Sequence, residues 1–342
     1  INTVSGQSYG GDIILAADTA LSASSISVQG DINGAHALTM TANGTTLTIP
    51  ALGTVLFVPG VVALGGEVGA LTPLTSLTTT GATSLSGNVT TTVSQTYHSG
   101  VTLLADVSFE SPSLSFSDTL SAGSYNLGVL ADTLSIGGTL SGTGTAQIAP
   151  YTVSRGIVVS GSSSGGELVV DASTFSQFAS FGSLTIGRAD GTGSVVLGSA
   201  GSAFTLPADL TLQSGTGNIQ VLSSIDGAHS LSLLTGGVTS LQSSIGTSTA
   251  LTSLTTDATG STHLAGSVYT SGAQHYGDAV IVDGLSALQA SAIQFDGTVN
   301  GPSSLYVYGP TTFAADVGGS TPLASLYASG PVTFEAGGAK TS

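Results

Sequence analysis

His263 to Val282 reads HLAGSVYTSGAQHYGDAVIV, and the same phrase returns at Leu85 to Leu103 as LSGNVTTTVSQTYHSGVTL. It returns again when Phe334 to Ser342 (FEAGGAKTS) is read straight on into Ile1 to Leu15 (INTVSGQSYGGDIIL). The shared tyrosine stands at Tyr9, Tyr97 and Tyr276, separated by 88 and then 179 positions, the second close to twice the first. Self-similarity on this scale marks a repeat architecture, in which each unit buries its apolar face against the next. Because the repeat runs through both ends, the reading predicts one unit of a longer tandem array, or a subunit stacked end to end, uncapped at either end.

The surroundings of the repeat say what kind of body carries it. Three Lys+Arg stand against nineteen Asp+Glu for a net charge of −16, yet only 6% of residues are charged and 40% are hydrophobic. A chain this apolar has the means to bury a continuous core, which disordered low-charge linkers lack. No hinge rich in proline or charge interrupts the pattern, so residues 1–342 are expected to form one continuous body, with a divergent insert at about 150–200. So few basic residues cannot neutralise a phosphate backbone, which excludes nucleic acid as a partner. The longest apolar stretch, Val55 to Leu64, is interrupted by Pro59 and Gly60 and falls well short of the roughly 20 residues of a membrane span. Without cysteine, neither disulfides nor thiolate metal sites hold the fold.

Short segments alternate between apolar and small polar residues: SISVQ from Ser25, ALTMT from Ala37, TTLTI from Thr45, SLSFS from Ser113, SLTI from Ser183, SLSLL from Ser230 and LYVY from Leu305. Period-two alternation of Thr, Val, Ile and Tyr is the signature of β-strand. Clusters of Gly, Asn, Asp and Ser between the segments supply the turns. Only Ala172 to Phe181 (ASTFSQFASF) carries helical spacing, and it is expected to form one short local turn. Two all-β architectures fit: tandem β-sandwiches, or a parallel β-helix whose coils pair with one another. The absence of tryptophan and of linkers, and the wealth of Gly, Ser, Ala and Thr that stack well in ladders, favour the β-helix. Roughly 20 residues per coil would give about 17 coils.

The phrases TSGAQHYGDAVIV, SSIDGAHSLSLLTGG, GDINGAHALTMTANG and STALTSLTTDATGSTHLAGSV resemble the repeat regions of very large bacterial surface proteins of the filamentous haemagglutinin type. The stretch Tyr151 to Leu197, with IGRADGTG from Ile186, is similar to an insert found among such repeats. These matches cover most of the chain. The resemblance implies a right-handed parallel β-helix, export by two-partner secretion or a related route, an extracellular or cell-surface location, and adhesive or matrix roles. It implies no catalytic residues.

The residues that could carry chemistry read mainly as structural. His36 and His229 both follow Gly-Ala in a repeated phrase, His98 and His275 flank the repeated tyrosine on opposite sides, and His263 stands alone. None has a second ligand at a metal-binding spacing. A polysaccharide-cleaving β-helix enzyme needs clustered carboxylates and a basic group. Here the only basic residues are Arg155, Arg188 and Lys340, and the best pairing is Arg188 with Asp190 across an Asp-Gly turn. The GGxGxD calcium repeat is missing, which leaves only isolated turns at Asp12, Asp18, Asp226, Asp278 or Asp283 as cation candidates. Threonine runs at Leu77 to Thr80 and Val89 to Thr92 follow the long repeat and not every coil, as an ice-binding array would require. Asn43 and Asn88 head glycosylation sequons.

The expected function is a structural and adhesive extracellular fibre, without enzymatic activity, cofactor, metal or catalytic residues. It would span distance and mediate surface attachment, cell–cell contact or biofilm matrix formation. Its expected partners are further copies, end to end and laterally bundled, together with surface glycans or other cells. The alternative from another class is a carbohydrate-binding solenoid in which Tyr306 and Tyr308 stack on sugars.

Overall fold

The computed structural model describes residues 1–49, 54–163 and 165–335. Residues 336–342, which carry Lys340 and half of the sequence seam, lie outside them. The chain is a β-solenoid of about 16 turns. It divides into two compact units, one of residues 1–152 with 180–182 and the other of residues 153–179 with 183–342, a division the unbroken sequence pattern does not announce.

In the first unit one sheet is formed by Thr19–Ala23, Ala37–Ala42, Leu74–Thr80, Val89–Tyr97, Val107–Phe116, Leu127–Ile136 and Thr145–Ala149, each pairing in parallel with the next. A second sheet stacks Gln7–Tyr9, Ile26–Val28, Val61–Leu64, Ala82–Leu85, Val101–Leu103, Leu120–Gly123 and Leu140–Gly142. Partners such as Gln95 with Leu114 and Leu114 with Leu134 lie one turn apart, 19 or 20 residues along the chain. Parallel neighbours at one-turn separation decide between the two architectures, because sandwich strands pair antiparallel. Among the described residues the one antiparallel pair is the hairpin of Thr45–Ile49 with Thr54–Val58.

Alternation explains which side chains enter the core. Along Val107–Phe116 the residues Val107, Phe109 and Ser111 are buried, then the phase slips at Pro112 and Leu114 and Phe116 are buried. That slip is a corner, where one long strand passes from one face of the coil to the next. Stacked coils bring inward side chains into register, so the phenyl ring of Phe116 lies 5.1 Å from Tyr97 at an interplanar angle of 12°.

The second unit repeats the plan of parallel strands stacked turn on turn. The first runs through Ser183–Arg188, Asp209–Ser214, Ser230–Thr235, Ser253–Thr256, Ala273–Tyr276, Ala292–Phe295, Thr311–Phe313 and Val332–Phe334. Tyr276, Phe295, Phe313 and Phe334 stack in a ladder with centroid separations of 5.0, 5.0 and 5.2 Å. Each such aromatic contact adds ~0.5–1.5 kcal/mol beyond the area it buries. A further sheet stacks Val268–Tyr269, Ser286–Gln289, Ser304–Tyr308 and Ser325–Ala328.

The divergent insert departs from simple winding. Ile157–Val159 pairs with Leu168–Val170 on one side and with Val195–Leu197 on the other, so chain order and sheet order differ here. The expected local helix is present as Ala172–Ser176, continued by a 3-10 turn over Gln177–Ser180. Asp171 caps it by accepting a 2.7 Å bond from the Thr174 N–H, and that bond holds its carboxyl below the usual range.

Candidate functional site

Most polar side chains that could do chemistry are bonded to the neighbouring turn. Asp12 Oδ1 accepts the Asp31 N–H at 2.9 Å, and Asp31 Oδ1 in turn accepts the Glu67 N–H at 2.8 Å. Asp106 likewise accepts the Asn126 amide, Asn126 the Thr145 amide, and Asp209 the Ser230 amide. At each corner the chain bends away from its sheet, which leaves a backbone N–H without a strand partner. An Asp or Asn one turn earlier supplies the missing acceptor.

Three of these corners share a more elaborate form. Asn33 accepts from Leu71 and Thr72, Asp226 from Ser248 and Thr249, and Asn300 from Ser320 and Thr321. In all three the glycine that follows donates to the threonine carbonyl at 3.1 Å. Gly34 and Gly301 hold φ of +127° and +139°, and a Cβ at either would stand 2.4 Å from a carbonyl oxygen of the preceding turn, so only glycine fits. The receiving loops read VGALTPLTSL from Val68, IGTSTALTSL from Ile245 and VGGSTPLASL from Val317. Their shared Val/Ile-Gly-x-x-Thr-x-Leu-x-Ser-Leu spacing is a sequence signal that the tyrosine repeat overshadowed.

Four histidines also bridge turns. His263 Nδ1 lies 2.7 Å from Asp283 and His275 Nε2 lies 2.7 Å from Asp296, while His36 with Asp18 and His229 with Asp209 stand at 3.6 Å. Bonds from Gln294 and His275 hold the Asp296 carboxyl below its ordinary range. The repeated Gly-Ala-His phrase thus places an imidazole over the carboxylate of the preceding turn. Arg188 grips Asp190 with two bonds, Nε to Oδ1 at 2.5 Å and Nη2 to Oδ2 at 2.9 Å, and these hold the Asp190 carboxyl low. Arg155 Nη1 reaches the Glu167 carbonyl at 3.5 Å. No group of three or more His, Cys, Asp or Glu gathers as a metal site among the described residues.

The tyrosine anchors fall into two classes. Each hydroxyl donates to the glutamine two residues before it at 3.1 Å: Tyr9 to Gln7, Tyr97 to Gln95 and Tyr276 to Gln274. The glutamine amide bridges two carbonyls, Val89 and Glu110 for Gln95, Val268 and Gln289 for Gln274. Burial pushes the hydroxyls of Tyr97 and Tyr276 far up in pKa. These two occupy the same place in the coil, followed by a strand on the adjoining sheet. Tyr9 does not: it pairs with Val28 in the second sheet of the first unit and is only half-buried. A bond between residues two apart is local to a strand, so the same three residues serve on either face.

One carboxylate is buried. Asp278 is 3% exposed and accepts from Thr262 at 2.8 and 3.0 Å and from Thr256 at 3.1 Å. Burial pushes its pKa up, the two threonine bonds oppose that, and neighbouring Asp257 raises it slightly further. One Asp257 oxygen is buried without a partner. Of the turns considered as cation candidates, Asp12 and Asp226 serve as amide acceptors, as does Asp18 toward the Ala37 N–H, and Asp283 faces His263. Thr79 and Thr91 of the threonine runs point into the core, where Thr91 donates to Ser111 at 2.9 Å. Asn88 uses its sequon amide oxygen to accept the Ser108 N–H, and Asn43 bonds Ser22 Oγ at 3.3 Å.

The tyrosines singled out for sugar stacking lie on an outward face. Tyr306 pairs in register with Tyr327, and the Tyr327 ring sits 5.9 Å from both Tyr306 and Tyr308. Tyr327 itself escaped sequence reading, because its neighbourhood depends on a partner strand one turn away. No helix among the described residues is long and apolar enough to cross a membrane. Comparison of the chain with protein-family models, curated proteins and solved structures returns no match.

Proposed function

We propose that this chain is a structural and adhesive element of an extracellular bacterial surface fibre, a spacer that presents its faces for contact. One observation carries the reading: carboxylates, carboxamides and imidazoles are placed turn after turn as acceptors and bridges between successive coils. A chain that commits its reactive groups to the stacking of its own turns is suited to bearing load and resisting proteolysis. Scarcity of Lys and Arg removes trypsin-type cleavage sites, and continuous pairing hides the backbone. Outer faces of Ser, Thr and Ala repel one another weakly, which favours association with further copies end to end or side by side. The resemblance of its phrases to filamentous haemagglutinin-type repeats supports the same reading and the proposed cell-surface location.

The test is to coat beads with the purified chain, measure bead–bead cohesion and attachment to bacterial and epithelial cells, and follow trypsin and proteinase K digestion in parallel. Cohesion or attachment above that of an albumin coat, with a chain that survives for hours, is the expected result. Inert beads, or rapid digestion, would overturn the proposal, as would release of reducing sugar from polysaccharides incubated with the chain.

A further inference from the structure

We propose that Tyr306, Tyr308 and Tyr327 form a binding platform for an uncharged hexose glycan. The proposal rests on the reading of the chain as a contact-making surface and names one site and one ligand class for it.

The four-stranded sheet of the second unit buries Leu288, Leu305 and Val307 completely on its inner side. Alternation therefore sends Tyr306 and Tyr308 outward, and parallel register sets Tyr327 beside Tyr306. Tyr308 is 38% and Tyr327 49% exposed, so the rings offer open faces. Their planes are inclined by 46° and 54°, which shapes a shallow cup and not a closed stack. Buried Tyr97 and Tyr276 have their hydroxyls bonded to glutamine, whereas those of Tyr306, Tyr308 and Tyr327 have no partner among the described residues. A cluster of rings with free hydroxyls matches the surface of a pyranose, whose C–H groups stack on aromatic faces while its hydroxyls need hydrogen-bond partners.

Charge selects among glycans. The four strands VY, SALQ, SLYVY and SLYA contain no charged residue, and the whole chain has three basic residues against a net charge of −16. A sulfated or uronic acid chain would find no cation here and would be repelled at long range. A neutral hexose polymer meets neither penalty.

The experiment titrates the whole chain with cellohexaose, β-1,3-glucohexaose and β-1,4-mannohexaose by saturation-transfer NMR and calorimetry, with heparin hexasaccharide as the charged probe. At least one neutral probe is expected to bind. Tyr327→Ala should weaken it about tenfold, the loss of one aromatic contact. Tyr327→Phe should retain most of the affinity, and Tyr125→Ala in the first unit should leave it unchanged. Tyr308→Ala serves as a second variant should Tyr327→Ala alter the melting profile. The proposal is overturned if no neutral probe binds, if heparin binds more tightly, or if affinity is indifferent to both alanine variants. It is overturned too if Tyr327→Ala abolishes concentration-dependent self-association, which would make the face a contact between copies. Bead cohesion measured on the same variants separates the two readings, since cohesion can persist when sugar binding is lost.

Discussion

Leu74 to Val101 in the first unit and Leu251 to Val280 in the second pass through the same sequence of strand, corner and strand, yet they solve the corner differently. In the first, Thr79 and Thr83 are four residues apart and their hydroxyls bond to each other at 2.9 Å. In the second, the corresponding Thr256 and Thr262 are separated by a corner two residues longer, and both donate to Asp278. Ser99 stands where Asp278 stands, two residues beyond the buried tyrosine, and its oxygen accepts the Gly81 N–H at 3.2 Å. In the shorter corner the two hydroxyls reach each other and Thr83 also reaches the Gly81 carbonyl at 3.2 Å, whereas in the longer one both turn to a third group and share its Oδ1, with Thr262 also reaching Oδ2. A carboxylate accepts both, at the cost of desolvating a charge, and that cost is why the Asp278 pKa is raised.

What the two corners share should cost the same to break. Tyr97→Ala and Tyr276→Ala are each expected to destabilise the flanking coils by ~3–5 kcal/mol, the range for deleting a buried aromatic ring. Hydrogen exchange of the adjacent strands is the suitable measure, because a stack of coils unfolds in sections. A difference between the two beyond about 1 kcal/mol would show that the corners are not mechanically equivalent. Replacing the glutamine, as Gln95→Leu or Gln274→Leu, removes its amide's bonds to two carbonyls and leaves the buried tyrosine hydroxyl without its partner, and should cost ~1–3 kcal/mol.

The difference between the corners is exposed by pH. Asp278 binds its proton more tightly in the folded chain than an ordinary carboxyl does in the unfolded one. Over the interval from the ordinary carboxylate value, about 3.9, up to its raised folded value, the native state therefore holds more protons, and stability falls as pH rises through that interval. Asp278→Asn should remove this slope for the second unit and raise its stability at neutral pH, read as melting temperature against pH. An unchanged profile would mean that the carboxylate is ionised at no net cost. Ser99→Asp in the first unit, where the site is only half-buried and the threonines already bond each other, should have a smaller effect.

The smallest expected effect belongs to the outer bridges. His263→Gln or His275→Gln removes a partly exposed pair and should change stability by no more than ~0.5 kcal/mol, fading further in high salt. A larger loss would place these bridges among the main supports of the stack.

Much of this architecture is written locally. Period-two alternation located strands such as Ala37–Ala42, Thr45–Ile49 and Ser230–Thr235, the helical spacing at Ala172 located the one short helix, and low charge with stacked small residues favoured the solenoid over sandwiches. The tyrosine repeat was legible as a phrase, but its meaning was not. Tyr9 shares the local glutamine bond of Tyr97 and Tyr276 and lies on another face, since a period-two motif is indifferent to which sheet it joins. The antiparallel hairpin of Thr45–Ile49 with Thr54–Val58 was not read from the sequence, because neither the alternation of TTLTI nor the apolar run TVLFV says in which direction a strand pairs.

The sequence by itself determined that the chain is all β, that it repeats, and that its core is apolar and its surface poor in charge, because alternation, turn residues and composition act over a few residues at a time. Only the tertiary structure decided which side chains meet: that Thr256 and Thr262 share Asp278, that Asp209 receives the amide of Ser230, and that Tyr327 joins Tyr306 and Tyr308. Those meetings span 16 to 22 residues, about one turn of the coil, and a corner longer by two residues is enough to change the partner. Register in a solenoid is the sum of every strand and corner in the turn, so it is a property of the wound chain and of no single segment in it.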